Sequence, residues 1–227
     1  MSPEPAAPEE SAPGRKAQAR RSASLLKSRL LKEEQTAFDD ALRSFATNPA
    51  FERMAAIIAR SRRRFILGRG DAQEHAMLLS ASLKASFSQV FLVAPPGLDH
   101  LDLLADVRTG DVLIAICHRP YRRDTVEIGR LYVAAGGTLM LLTDSADSPL
   151  SAFASEQIII EHATRDAQVD ATAVVLATRL LARLASASSK GAVRRAQERE
   201  RLGDLLGLYE SDMRWVGREQ GPGGAGS

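Results

Sequence analysis

The chain has 227 residues, 44% hydrophobic and 26% charged, with one cysteine and a formal net charge of +2. That is enough apolar material for one buried domain with extensions, and a lone cysteine excludes an internal disulfide framework and fits a reducing cytosol. No window reaches the roughly 18 apolar residues of a membrane helix, and the Pro/Glu/Ala-rich start lacks the apolar stretch of a signal peptide, so a cytoplasmic protein with no membrane partner is expected.

Residues 1–22 hold four prolines and almost no large apolar side chain, the composition of a disordered tail. Residues 24–46 place Leu25, Leu26, Leu30, Leu31, Phe38, Leu42 and Phe45 close to helical spacing. Asn48-Pro49 reads as an N-cap with proline in the first turn of a second helix through Phe51, Met54, Ile57 and Ile58. Together 23–61 are expected to be linker helices. Arg62-Arg63-Arg64 precedes a short buried strand, Phe65-Ile66-Leu67, and is expected to cover the lower end of a sheet in solvent.

Gly68-Arg69-Gly70-Asp71 is the turn after that strand, and 72–87 is helical with Ala76, Leu79, Leu83 and Phe87 on one face. A Gly-x-Gly turn between strand and helix lets backbone approach a ligand. The third glycine of the dinucleotide fingerprint is absent, since His75 does not supply it, and no acidic residue ends the second strand at 90–93. A nicotinamide site is excluded and no cofactor is expected. A loop at 95–97 and a short helix at 101–107 follow.

Residues 110–127 are the centre of the chain. Gly110-Asp111 is a turn, and 112–116 is an unbroken apolar run, the mark of a strand buried on both faces. Residues 117–123 then carry three arginines, Tyr121 and His118, with Pro120 interrupting regular structure. Asp124 is positioned to cap a helix from Thr125, with Glu127 in its first turn. Strand, polar loop and helix in that order place the loop where open parallel sheets bind ligands.

The helix at 125–135 is stopped by Gly136-Gly137, and 138–142 is the fourth strand. Thr143-Asp144-Ser145 follows, and Ser148-Pro149-Leu150 opens a short helix to 154. Residues 157–160 are the fifth strand, 169–185 a long helix, 190–215 a charged helix and 220–227 a Gly-rich tail. Strands alternating with helices predict an α/β fold: a doubly wound five-stranded parallel sheet with flanking N- and C-terminal helices. The expected divisions are 62–188 for the domain, 189–218 for the charged helix and 219–227 for a flexible tail.

Several landmarks, taken together, resemble the sugar-isomerase (SIS) domain of RpiR/MurR-type bacterial regulators over about 50–185. They are the Gly68-Arg69-Gly70 turn, Gly110-Asp111 before the central strand, and Gly136-Gly137-Thr138 before the fourth. Residues 117–126, Cys-His-Arg-Pro-Tyr-Arg-Arg-Asp-Thr-Val, are similar to a family stretch S-F-R-R-Y-S-x-E-T-V. Thr143-Asp144-Ser145 and Ser148-Pro149-Leu150 match its T-D-S and S-P-L. The resemblance implies flavodoxin-like strand order, a dimer, and a sugar phosphate near the loops after strands one, three and four. It also implies a preceding helix-turn-helix domain, for which the ordered-looking stretch before Asn48 is too short. Asp71, Cys117 and Arg122 stand where the family carries hydroxyls that hold phosphate, while Arg119, Tyr121, Thr125 and Ser145 keep family-like chemistry.

Arg119, Arg122 and Arg123 either clamp an anion through guanidinium forks or pair with Asp124, Glu127 or another subunit. Cys117 and His118 are neighbours on extended chain and point opposite ways, so Cys117 is expected to pack at the strand end. His75, His100, His118 and His162 are scattered, without metal-ligand spacing. Glu127 has the residue type of an isomerase base, but also suits a helix's first turn, and Lys84, the only lysine between 33 and 189, lies inside a helix.

The leading expectation is a non-catalytic SIS-domain protein, a homodimer, that binds a small anionic sugar derivative in transcription regulation. A sugar-phosphate isomerase and a ligand-free scaffold acting through protein contacts are the alternatives. The ligand contacts expected are Gly68, Arg69, Gly70, Asp71, Cys117, Arg119, Tyr121, Arg122, Thr125, Thr143, Ser145 and Ser148. Residues 71–170 hold 7 basic and 14 acidic side chains while both ends are basic. Sequence-specific DNA binding by this chain alone is therefore not expected, although the basic ends could touch nucleic acid.

Overall fold

The computed structural model describes residues 13–160 and 171–208. Two helices lead in: α1 (Pro13–Ala46) and α2 (Ala50–Arg60). Then come β1 (Arg64–Leu67), α3 (Ala72–Ser86), β2 (Val90–Leu92), α4 (His100–Ala105), β3 (Val112–Ile116), α5 (Arg123–Ala134) and β4 (Thr138–Thr143). A 3-10 turn at Ser151–Phe153 precedes β5 (Glu156–Ile159), and α6 (Ala171–Ala187) and α7 (Lys190–Leu205) complete the chain.

All five strands are parallel, in the order β2-β1-β3-β4-β5. Successive strand side chains point to opposite faces, so each strand feeds two cores. Ile66, Val112, Ile114, Ile116, Met140 and Leu142 pack under α2, α3 and α6. Phe65, Leu67, Leu113, Ala115, Leu139 and Leu141 pack under α4 and α5. The apolar run of β3 is thus explained: all five residues are buried, on alternate sides. From β1 the chain crosses one face through α3, and from β2 it returns to β3 over the other through α4. The carboxyl ends of β1 and β3 therefore lie at a topological switch point, where a crevice opens.

Three local expectations change. Helix α1 starts at Pro13, so 13–22 of the expected disordered tail is helical. Asp124 is not the N-cap of α5. Arg122 is, and Asp124 sits in the first turn, accepting the Thr125 N–H at 2.9 Å. Asn48 does cap α2 through its side chain, accepting the Ala50 N–H at 3.0 Å, with Pro49 between them. The arginine run is not a solvated cover. Arg63 forks onto buried Asp111 and reaches Asp106 at 2.6 Å. Arg64 is buried against the Phe87 ring, and donates to the Ile58 and Ala59 carbonyls at 2.7 and 3.2 Å, satisfying the open end of α2. Arg62 alone of the three stays exposed. The expected segments 1–12, 209–218 and 219–227, and His162, lie outside the described residues.

Candidate functional site

At the end of β1 the chain needs glycine twice. A Cβ on Gly68 would stand 2.4 Å from the Ala72 carbonyl oxygen, so α3 packs directly on the turn only because there is none. Gly70 has φ +61°, a left-handed conformation that glycine adopts without strain. The side chain of Arg122, from the β3 loop, lies across Gly70. Two connections from neighbouring strands thus meet at the switch point.

Between them is a small cavity of about 130 Å³, lined by Arg69, Gly70, Asp71, Cys117, Arg122 and Thr125 together with His118. Three of the lining residues each carry a buried polar atom with no hydrogen-bond partner among the described residues: Arg69 Nε, His118 Nε2 and Thr125 Oγ1. Buried polar atoms usually find partners, so these three leave hydrogen-bonding capacity unused beside the cavity. A wider hollow of about 540 Å³ adjoins it through Gly70, Asp71 and His118, and adds Glu74, His75 and Arg119 to the lining. The His75 and His118 rings lie 6.5 Å apart, edge to face. Burial lowers the pKa of His75, which keeps it neutral at neutral pH.

The third loop, after β4, takes part indirectly. Asp144 is buried, and its carboxylate accepts from Arg119 Nε at 2.5 Å and from the Tyr121 hydroxyl at 2.9 Å. Burial works against its ionisation, yet the two donors outweigh that and hold its pKa below the usual carboxylate value. Tyr121 is pushed up to about 12, first by burial and then by its bond to Asp144. Thr143 bonds Asp144 at 3.4 Å, Ser145 Oγ accepts the Asp147 N–H at 3.1 Å, and Ser148 is buried with a hydroxyl that has no partner among the described residues. None of Thr143, Ser145, Ser148 or Tyr121 lines the two cavities.

Of the twelve residues singled out in the sequence, seven line the crevice: Arg69, Gly70, Asp71, Cys117, Arg119, Arg122 and Thr125. Gly68 lies behind them under α3. The arginines divide as ion pairs, with Arg119 on Asp144 and Arg122 in a fork on Asp124 at 3.0 Å to both oxygens. Arg123 lines neither cavity. Cys117 packs at the end of β3, where burial and then the negative charges of Asp144 and Asp124 push its thiol up to about 12. Sequence reasoning missed Asp144, although it lies in the T-D-S motif, and His75, whose position one turn into α3 aims it at the crevice. Among the described residues no cluster of three or more His, Cys, Asp or Glu side chains could hold a metal ion.

Residues 57–187 match the family model for the SIS domain. None of the curated proteins matches the chain. The fold is similar to several solved structures. The sugar isomerase domain of an RpiR transcription factor from Sphaerobacter thermophilus is 22% identical, with a TM-score of 0.68 over 78% of this chain and 98% of that one. The Vibrio vulnificus NanR protein complexed with ManNAc-6P is 14% identical, with a TM-score of 0.67 over 80% of this chain and 70% of that one. E. coli CFT073 c3406 in complex with A5P is 18% identical, with a TM-score of 0.62 over 78% of this chain and 98% of that one.

Proposed function

The chain belongs to the SIS-domain family, and on that premise we propose that it binds a small phosphorylated sugar without transforming it, in a regulatory role like that of RpiR-type proteins. The observation that carries this reading is the set of unpartnered polar atoms, Arg69 Nε, His118 Nε2 and Thr125 Oγ1, around the small cavity at the switch point. Arg69 and Thr125 are donors suited to an anionic oxygen, and the cavity lies beside the N-terminus of α5, which adds a favourable field. The wider hollow next to it supplies room for the sugar. Two of the structurally similar proteins were captured with sugar phosphates, ManNAc-6P and A5P.

Binding without turnover is supported by what the reactive-looking groups are doing. Glu127 is exposed and, among the described residues, reaches Arg130 alone, at 3.4 Å. Asp144 is held by two donors, and the Cys117 thiol stays protonated. A thermal-shift screen of the full chain against sugar phosphates tests the reading, because a ligand that binds the folded state raises Tm by mass action. A phosphorylated sugar should stabilise the chain while its unphosphorylated form does not. No shift with any member of a broad library would sink the proposal.

One observation favours a second reading, isomerisation. His75 and His118 face the same hollow, and a neutral imidazole is a competent base. Incorporation of solvent deuterium at the sugar carbon next to the carbonyl, followed by NMR, decides between binding and turnover.

The proposal includes a homodimer. The apolar face of α6 is used within the chain, with Ala173, Val174, Ala177 and Leu181 buried. On α1, by contrast, Leu25, Leu26, Leu30 and Leu31 are 73, 56, 50 and 60% exposed, a surface suited to a second copy.

A further inference from the structure

The pole of the sheet opposite the crevice carries another hollow, about 970 Å³, between α7 and the segments that lead into β1 and β2. Six arginines line it, Arg62, Arg64, Arg194, Arg195, Arg199 and Arg201, against one carboxylate, Glu198. Two of the six are committed elsewhere. Arg64 donates to backbone carbonyls, and Arg201 forks onto Glu198 at 2.6 and 2.9 Å. Arg62, Arg194, Arg195 and Arg199 have no carboxylate partner among the described residues, and Arg195 keeps a buried Nε–H with no acceptor. Arg62, Arg194 and Arg199 are exposed and Arg195 half-buried, so four positive charges give the groove a field that attracts a polyanion.

The kind of polyanion follows from the lining. Apolar side chains are few there, chiefly Phe87 and Leu202, too little for the aromatic or aliphatic anchor of a protein interface. Arginine presents a planar fork that fits phosphate oxygens. Arg195 and Arg199 are four residues apart, on one helix face, with a rise of about 6 Å between them, so they form a row along α7 rather than a point site. Arg62 supplies a charge from the opposite wall, and Ser61, Ser88 and Ser189 offer hydroxyls of the sort that bond phosphate. We infer that this groove holds the phosphodiester backbone of a nucleic acid, without reading its sequence. It is separate from the sugar crevice and does not depend on it: one lies at the carboxyl ends of the strands, the other at their amino ends.

Fluorescence anisotropy of a labelled mixed-sequence oligonucleotide, duplex and single-stranded, titrated with the full chain over a range of salt concentrations, tests this. The expected result is binding at low salt that weakens steeply as salt rises and that is indifferent to sequence. The double variant Arg62→Glu with Arg199→Glu should lose at least tenfold in affinity. The milder Arg194→Gln with Arg195→Gln should flatten the log–log salt slope by about 0.9 for each duplex phosphate that is no longer neutralised. Arg43→Glu with Arg130→Glu changes net charge equally on α1 and α5, and should stay within twofold of the parent. No binding by the parent at low salt overturns the inference. So does an equal loss in the Arg43/Arg130 variant, and so does displacement of the oligonucleotide by polyglutamate at equal charge concentration.

Discussion

Arg119 Nε donates to Asp144 at 2.5 Å across 25 positions of the chain, and ties the loop after β3 to the loop after β4. The same carboxylate takes the Tyr121 hydroxyl, so one buried acid holds both Arg119, which lines the wider hollow, and Tyr121, which lines neither cavity. Asp144→Asn keeps the size and removes the charge. It should lower Tm by about 3 °C, the scale expected for removing one charge-assisted hydrogen bond from a chain this long. The deficit depends on pH with a definite sign. The folded pKa of Asp144 lies below the unfolded value, so its contribution is complete above the ordinary carboxylate pKa of about 4 and is lost as pH falls through the lower folded value. Melting curves of parent and variant should therefore differ at pH 7 and draw together as pH falls progressively below about 4. A gap that stays constant at low pH would show that the charge is not the cause.

Thr125→Val separates folding from binding. Thr125 Oγ1 is buried with no partner, so replacing the hydroxyl with a methyl should leave Tm unchanged or slightly raised. The same change should weaken a phosphorylated ligand about tenfold, since a hydrogen bond to a charged group is worth roughly 1.5–3 kcal/mol. Isothermal titration with the sugar phosphate found in the thermal-shift screen, alongside the ligand-free melt, measures both. Unchanged affinity would remove Thr125 from the site.

Asp71 lines both cavities, is exposed, and makes no capping bond to α3. Asp71→Ser should therefore cost no stability, because serine is as good an N-cap residue. It should strengthen a phosphorylated ligand several-fold by removing a like charge, measured by the same titration at two salt concentrations, with the smaller gain at higher salt.

The glycine turn and the loop that leads into α5 were legible in the sequence because each depends on local order: strand, turn, helix start. The switch point and the interest of Thr125 came from the family resemblance. The roles of the three arginines were not. Arg119 and Arg122 stand three residues apart in one loop, yet one reaches Asp144 on another strand's loop and the other folds back on Asp124 two residues away. A linear reading offers the possible partners, and only the approach of the β4 loop selects between them.

Cys117 gives a chemical test of the strand end. Its thiol is buried and pushed up to about 12, so the thiolate is scarce at working pH. Reaction with a disulfide reagent at pH 8 should be slow in the native chain and immediate in denaturant. Fast native labelling would mean that the end of β3 opens in solution.

Light scattering tests the second copy proposed for α1. The parent should give a dimer mass at tens of micromolar, and Leu26→Glu with Leu30→Glu should give a monomer that melts as a single folded unit. These side chains are exposed within the chain, so the variant should leave the core intact. A parent that is monomeric would end the proposal.

By itself the sequence determined the repeating parts of this protein. The two-residue period of strands and the 3.6-residue period of helices are properties of the local backbone. They placed five strands and their crossovers, and set the core residues on alternating faces. The tertiary structure decided what the charged residues do. Arg63 finds Asp111 across 48 positions, Arg64 closes the end of α2, and four arginines of the α7 groove have no carboxylate partner among the described residues. Coulomb attraction and hydrogen bonding have no period along the chain. They depend on distance, and distances between residues far apart in sequence exist only once the crossovers have brought their loops together.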